Sequence, residues 1–178
     1  MAASDPLSFD PIVEARRNWE AHGWDAEAAM SAATSITRAH QILLKRIDAA
    51  LAPFGLVFSR FEALALLSFT RTGALPLSRI GQRLQVHPTS VTNTIDRLEA
   101  DGLVVRAPHP TDRRATLATL TDRGRALAVE AAAALAAIDY GLDGMDAGGL
   151  AAVDGALRPL RAAAGDFSPE GASPSPRP

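Results

Sequence analysis

A chain of 178 residues with 47% hydrophobic side chains can bury one domain's core, with or without appended helices. It has no cysteine and only four scattered histidines, which excludes disulfides, thiol chemistry and cysteine-zinc sites and speaks against any metal or cofactor. The net charge of −2 is uninformative, but residues 79–125 hold eight arginines against five acids (Asp96, Glu99, Asp101, Asp112 and Asp122). A local positive excess of this kind is the electrostatic footprint of a polyanion-binding surface. The leading MAASDPLSFDP lacks a signal peptide's basic start and apolar run, and no stretch reaches the roughly 20 apolar residues of a membrane span. The expectation is a soluble, cytoplasmic protein with no membrane partner.

In chain order, Asp10 and Pro11 read as the cap and first residue of a short helix that Gly23 ends. A long helix over 25–51 carries Ile36, His40, Leu43, Leu44, Ile47 and Leu51 on one face, and Pro53 and Gly55 stop it. Ser59 to Glu62 has the form of a capping box for the next helix, which carries Phe61, Leu64, Leu67 and Phe69 as far as Gly73. A short helix over 78–84 follows, then a turn at Gln85, Val86 and His87. A second helix begins at Pro88, buries Val91, Ile95 and Leu98, and ends at Gly102. Strands over 103–106 and 115–120 flank a polar loop, forming a hairpin. Thr121 caps a helix to about Tyr140. A last helix over 146–164 repeats Leu150, Val153, Leu157 and Leu160 as a seam, with Pro159 a candidate kink. The tail from Ser168 is disordered by composition. The implied divisions are an N-terminal extension over 1–24, a dimerisation helix over 25–56, a reading head over 57–125, C-terminal dimerisation helices over 126–164 and the tail over 165–178. The class is mainly α with a small β-hairpin wing.

Helix, short turn, helix and hairpin together carry the function. With its apolar residues turned inward, the helix from Pro88 presents Thr89, Ser90, Thr92, Asn93 and Arg97 to solvent. All are hydrogen-bonding types, and Asn and Arg make bidentate contacts to adenine and guanine in a major groove about 12 Å wide. Pro88 leaves the helix N-terminus open to phosphate. The hairpin loop offers Arg113 and Arg114 to a narrow minor groove, with Asp112 placed to orient one fork. Taken separately, each feature also fits a solvated surface.

The segment LSRIGQRLQVHPTSVTNTIDRLEADGLVVRAPHPTDRRATLATLTDRGRAL, residues 77–127, resembles the winged helix-turn-helix core of MarR-type transcription regulators. The matching features are DRLEADGLV, the DRR of the wing and the closing LTDRG. The resemblance implies that the first long helix and the last two helices form a homodimer, and that Arg114 enters the minor groove. A dimer would set two reading helices about one DNA turn apart and so require a near-palindromic operator. It further implies a repressor released by a small aromatic or acidic effector held between the dimer helices and the winged domain. Candidate ligand residues are His40, Arg60 and Phe61. By similarity to the urate-responsive branch, Trp19 and Glu62 join them, although that branch usually has Asp at the acidic position. Trp19 and Trp24 read more readily as staples for the first helix, His40 as a core residue and Arg60 as solvated.

Two other classes compete. An enzyme has no support: there is no phosphate loop, HExxH, GxSxG or nucleophile–base pair by motif. A winged-helix protein-interaction module without specific DNA binding would show an apolar or acidic reading face, unlike the one here.

Overall fold

A computed structural model describes residues 7–109, 111–112 and 115–168. The chain divides into two compact units, residues 1–46 and 47–178, with the boundary inside one helix.

The first unit holds α1 (Pro11–Ala21) and most of α2 (Glu27–Leu51). Asp10 Oδ1 accepts from the Ile12 and Val13 N–H groups at 2.8 and 3.4 Å, satisfying donors that a helix start leaves open. Gly23 sits at φ 65° and ends the element, as its lack of a Cβ allows. The α2 start lies two residues later than the sequence suggests, after Ala26 at φ 60°. Trp19 meets Trp24 edge-to-face at 4.8 Å and donates its indole N–H to the Asp25 carbonyl at 2.9 Å. Arg16 pairs with Glu27. No described side chain in residues 7–46 is buried.

The second unit contains the core. It runs from the end of α2 through α3 (Phe58–Ser68), β1 (Ala74–Pro76), α4 (Leu77–Leu84), α5 (Pro88–Ala100), β2 (Val104–Pro108), β3 (Thr116–Leu120), α6 (Asp122–Ala136) and α7 (Ala147–Ala163). Leu51, Leu64, Leu67, Ile80, Ile95, Leu98, Val104 and Leu135 are almost wholly buried, joining every helix of this unit except α7 to the sheet. The strands form an antiparallel sheet of order β1-β3-β2, with Leu75 opposite Ala118 and Arg106 opposite Ala118 from the other side. The sequence showed only the two hairpin strands; β1 is a third.

Several boundaries differ from the sequence reading. The capping box does not form: α3 begins at Phe58, and its N-cap, Val57, lacks a capping side chain. Asp48, ten residues upstream, supplies the acceptor instead, its Oδ1 lying 2.7 Å from Phe58 N. The helix stops at Ser68, so Phe69 leaves the stripe and is 79% exposed. Leu84 is half-buried. Thr121 caps α6 as expected, accepting from Gly124 N at 3.0 Å, but the helix ends at Ala136; Tyr140 lies in a separate turn at φ 54°. α7 continues through Pro159, and Leu150, Val153 and Leu160 on its apolar seam stay exposed.

Gly124 marks the tightest approach. A Cβ there would sit 2.1 Å from the Leu103 carbonyl oxygen, which also accepts from Thr121 N at 3.1 Å. Gly124→Ala is therefore expected to lower unfolding free energy by about 1–3 kcal/mol in urea titration, through forced displacement of α6 from β2. Asp48→Ala should remove about 1 kcal/mol by uncapping α3, read the same way.

Candidate nucleic-acid interface

The α5 helix is positioned from both ends. At its start, His87 Nδ1 accepts from Thr89 N at 3.3 Å and Pro88 occupies the first helical position. The preceding turn is closed by Gln85 in the left-handed region, φ 53°, which reverses the chain after α4. Close packing of the two helices leaves little room at Gly81, where a Cβ would come within 3.1 Å of Val91 Cγ2.

At its end, Asp101 gathers two cations. Its carboxylate accepts from Arg60 Nη1 of α3 at 2.9 Å, and its carbonyl accepts from Arg123 Nη1 of α6 at 3.0 Å. Cations at a helix C-terminus also complement its dipole. Along its flank, Arg106 of β2 reaches Asp96 Oδ1 at 2.6 Å and donates to the Thr92 carbonyl at 3.2 Å. Glu99 accepts from Arg106 N at 3.0 Å. None of these partners of α5 was legible as such in the sequence; the alternating charges of 96–106 were the available signal.

The result is a helix with one face in the core and the other in solvent. Val91, Ile95 and Leu98 are buried, whereas Pro88, Thr89, Ser90, Thr92, Asn93 and Arg97 are exposed. Ser90, Asn93 and Arg97 border one shallow polar depression of about 250 Å³ with Ser59 and Arg60. At the hairpin, the His109 ring nitrogen Nδ1 accepts from the N–H groups of Thr111 and Asp112 at 3.3 and 3.2 Å, and His109 N donates to the Ala115 carbonyl at 3.0 Å. This orders the approach to the wing tip; Arg113 and Arg114 lie outside the described residues.

The ligand candidates do not form one cluster. Trp19 is half-buried against Trp24 and His40 is exposed, both in the first unit. Arg60, read from sequence as solvated, is tied to Asp101 and to the Gly55 carbonyl. Phe61 and Glu62 share an apolar groove between α3 and α6. Phe61 is buried, and burial pushes the Glu62 carboxyl above the ordinary carboxylate range. Among the described residues no cluster of His, Cys, Asp or Glu could hold a metal, and no single helix is long and apolar enough to cross a membrane.

Comparison with known proteins places this arrangement. The model of the MarR family matches residues 58–116. The transcriptional repressor Rv2887 of Mycobacterium tuberculosis is 34% identical over 102 residues, which is 57% of this chain and 72% of the relative. Among solved structures, Sco5413 of Streptomyces coelicolor, a MarR family transcriptional regulator, is 54% identical, with a TM-score of 0.74 over 79% of this chain and 97% of that one. Sco3205 of the same organism, solved in complex with DNA, shares the fold at 19% identity, with a TM-score of 0.69 over 79% of this chain and 89% of that one.

Arg106 gives the site's own structural test. Arg106→Ala leaves Asp96 and the Thr92 carbonyl without their shared partner and removes the 3.7 Å ion pair to Glu99, which keeps only its bond from the residue-106 N–H. It is expected to reduce stability by about 1–2 kcal/mol in thermal or urea unfolding, less than a buried pair because part of the network is solvated.

Proposed function

The chain belongs to the MarR family of winged helix-turn-helix transcriptional regulators, not to any class of enzyme, and on that premise we propose that it binds a near-palindromic operator as a homodimer and represses transcription until a small molecule releases it. The observation that carries the DNA reading is the division of α5: three apolar residues in the core and a continuous run of hydrogen-bonding side chains outside it. That face, inserted into the major groove, has Asn93 and Arg97 as its base readers and Thr89, Ser90 and Thr92 nearer the phosphates.

Arg114, with Arg113 and Asp112, would follow the adjacent minor groove, where a narrow width concentrates negative potential. Support for this role comes from the family resemblance of the wing.

Support for the homodimer comes from apolar surface that one copy leaves uncovered. Ile36 and Ile42 on α2 and Leu150, Val153 and Leu160 on α7 are all exposed, although each falls on its helix's apolar stripe or beside it. Exposed apolar surface on helices at both ends of the chain fits a two-fold partner. Support for an effector is the groove between α3 and α6.

The test is fluorescence anisotropy with operator DNA recovered from the genome and a scrambled duplex, across a salt series. Affinity for both should fall steeply with salt, because bound arginines displace counterions from phosphate. Binding that ignores salt, or none at all, would overturn the reading in favour of a protein-interaction module. Asn93→Ala and Arg97→Ala should each relax discrimination at particular base pairs by about 1–3 kcal/mol, whereas Arg114→Ala should weaken binding to every duplex and reduce the salt slope by about 1.

A further inference from the structure

The groove between α3 and α6 has a volume of about 460 Å³, within the roughly 300–1,000 Å³ range of small-molecule sites. Its wall is unusual in composition. Phe58, Phe61, Phe69 and Tyr140 contribute aromatic rings, and the Phe58 and Phe61 rings are near-parallel with centroids 6.5 Å apart. Glu62 is its single charged lining residue among those described; no Lys, Arg or His borders it.

The Glu62 carboxylate is half-buried and pairs with no other described residue. Burying a carboxylate without a counter-charge is unfavourable, and its raised pKa expresses that. An anionic ligand would add like charge to this place. A cation would supply the missing partner, and the surrounding ring faces attract positive charge as well. The large exposure of Phe69 and Val129, 79% and 67%, leaves apolar surface on the same groove for a ligand's hydrocarbon part.

We propose that this groove binds an apolar cation, an amine carrying aromatic or alicyclic rings, with its ammonium on Glu62 and its hydrocarbon against the phenyl rings. The chemistry is opposite in charge to the acidic effector that the family resemblance implies. Glu62 also borders a second cavity of about 320 Å³, shared with Ser90, Val91 and Thr94 of α5. A carboxylate drawn toward an ammonium in the groove leaves the wall beneath the DNA-reading helix. This coupling rests on the effector-released reading above; the binding site does not.

Isothermal titration calorimetry of the full chain with 2-naphthylmethylamine and 2-naphthoic acid compares one ring system at opposite charge. The amine is expected to bind at least about tenfold more tightly than the acid. Glu62→Gln should abolish that preference, and Glu62→Asp, which keeps the charge, should retain it; circular dichroism melting checks that both variants fold. Tighter binding of the acid, or a preference unchanged in Glu62→Gln, would overturn the proposal. So would binding of neither compound, and hydrogen exchange that then showed α3 and α6 protected in a concentration-dependent way would assign the groove to a second copy of the chain. Operator anisotropy is read separately. An amine that binds through Glu62 without releasing DNA upholds the site and defeats the effector reading, whereas release by the acid alone defeats the site.

Discussion

The anchoring of α5 to its own domain is the constraint on which the rest depends. A reading helix discriminates base edges only if its orientation is held while its outer face stays free. Here three buried apolar side chains set its depth, and three arginines from other elements set its direction. Arg60 and Arg123 hold its C-terminal end at Asp101, and Arg106 holds its flank. None of these contacts uses Asn93 or Arg97, so α5 is held by residues other than those proposed to read DNA.

The same division explains the local sequence. The two Asp and the Glu of DRLEAD face β2 and α3, and the Arg of TDRG returns to Asp101. The Gly of TDRG exists because the Leu103 carbonyl occupies the space a side chain would need. Most of these motif residues serve packing and cation placement around one helix end, whereas Arg97, inside the same motif, stays exposed.

How much was legible follows from range. The α5 stripe, the Thr121 and Asp10 caps and the hairpin could be read because each depends on residues within a turn or two. Ser59 also offered a local cap, but Asp48 reached the helix start from another element, which no short window reveals. Gln85 takes a left-handed conformation usually marked by Gly or Asn. β1 is three residues containing a proline, too short for alternation to show, and it exists because β3 offers it an edge. Of the site, the outward face of α5 was readable from periodicity alone. The joining of Phe61 and Glu62 to Phe69 and Tyr140 was not, since it requires α3 and α6 to pack before the groove exists.

The N-terminal unit carries a thermodynamic consequence. Twenty residues of α2 and all of α1 bury no side chain within one copy, and isolated helices of such length are marginal in water. In the proposed homodimer their persistence becomes a matter of mass action: the partner that covers them contributes to folding as well as to assembly, and melting temperature would rise with subunit concentration. A cell holding few copies would keep them partly frayed and open to proteolysis, so abundance itself would set a floor below which the regulator does not accumulate.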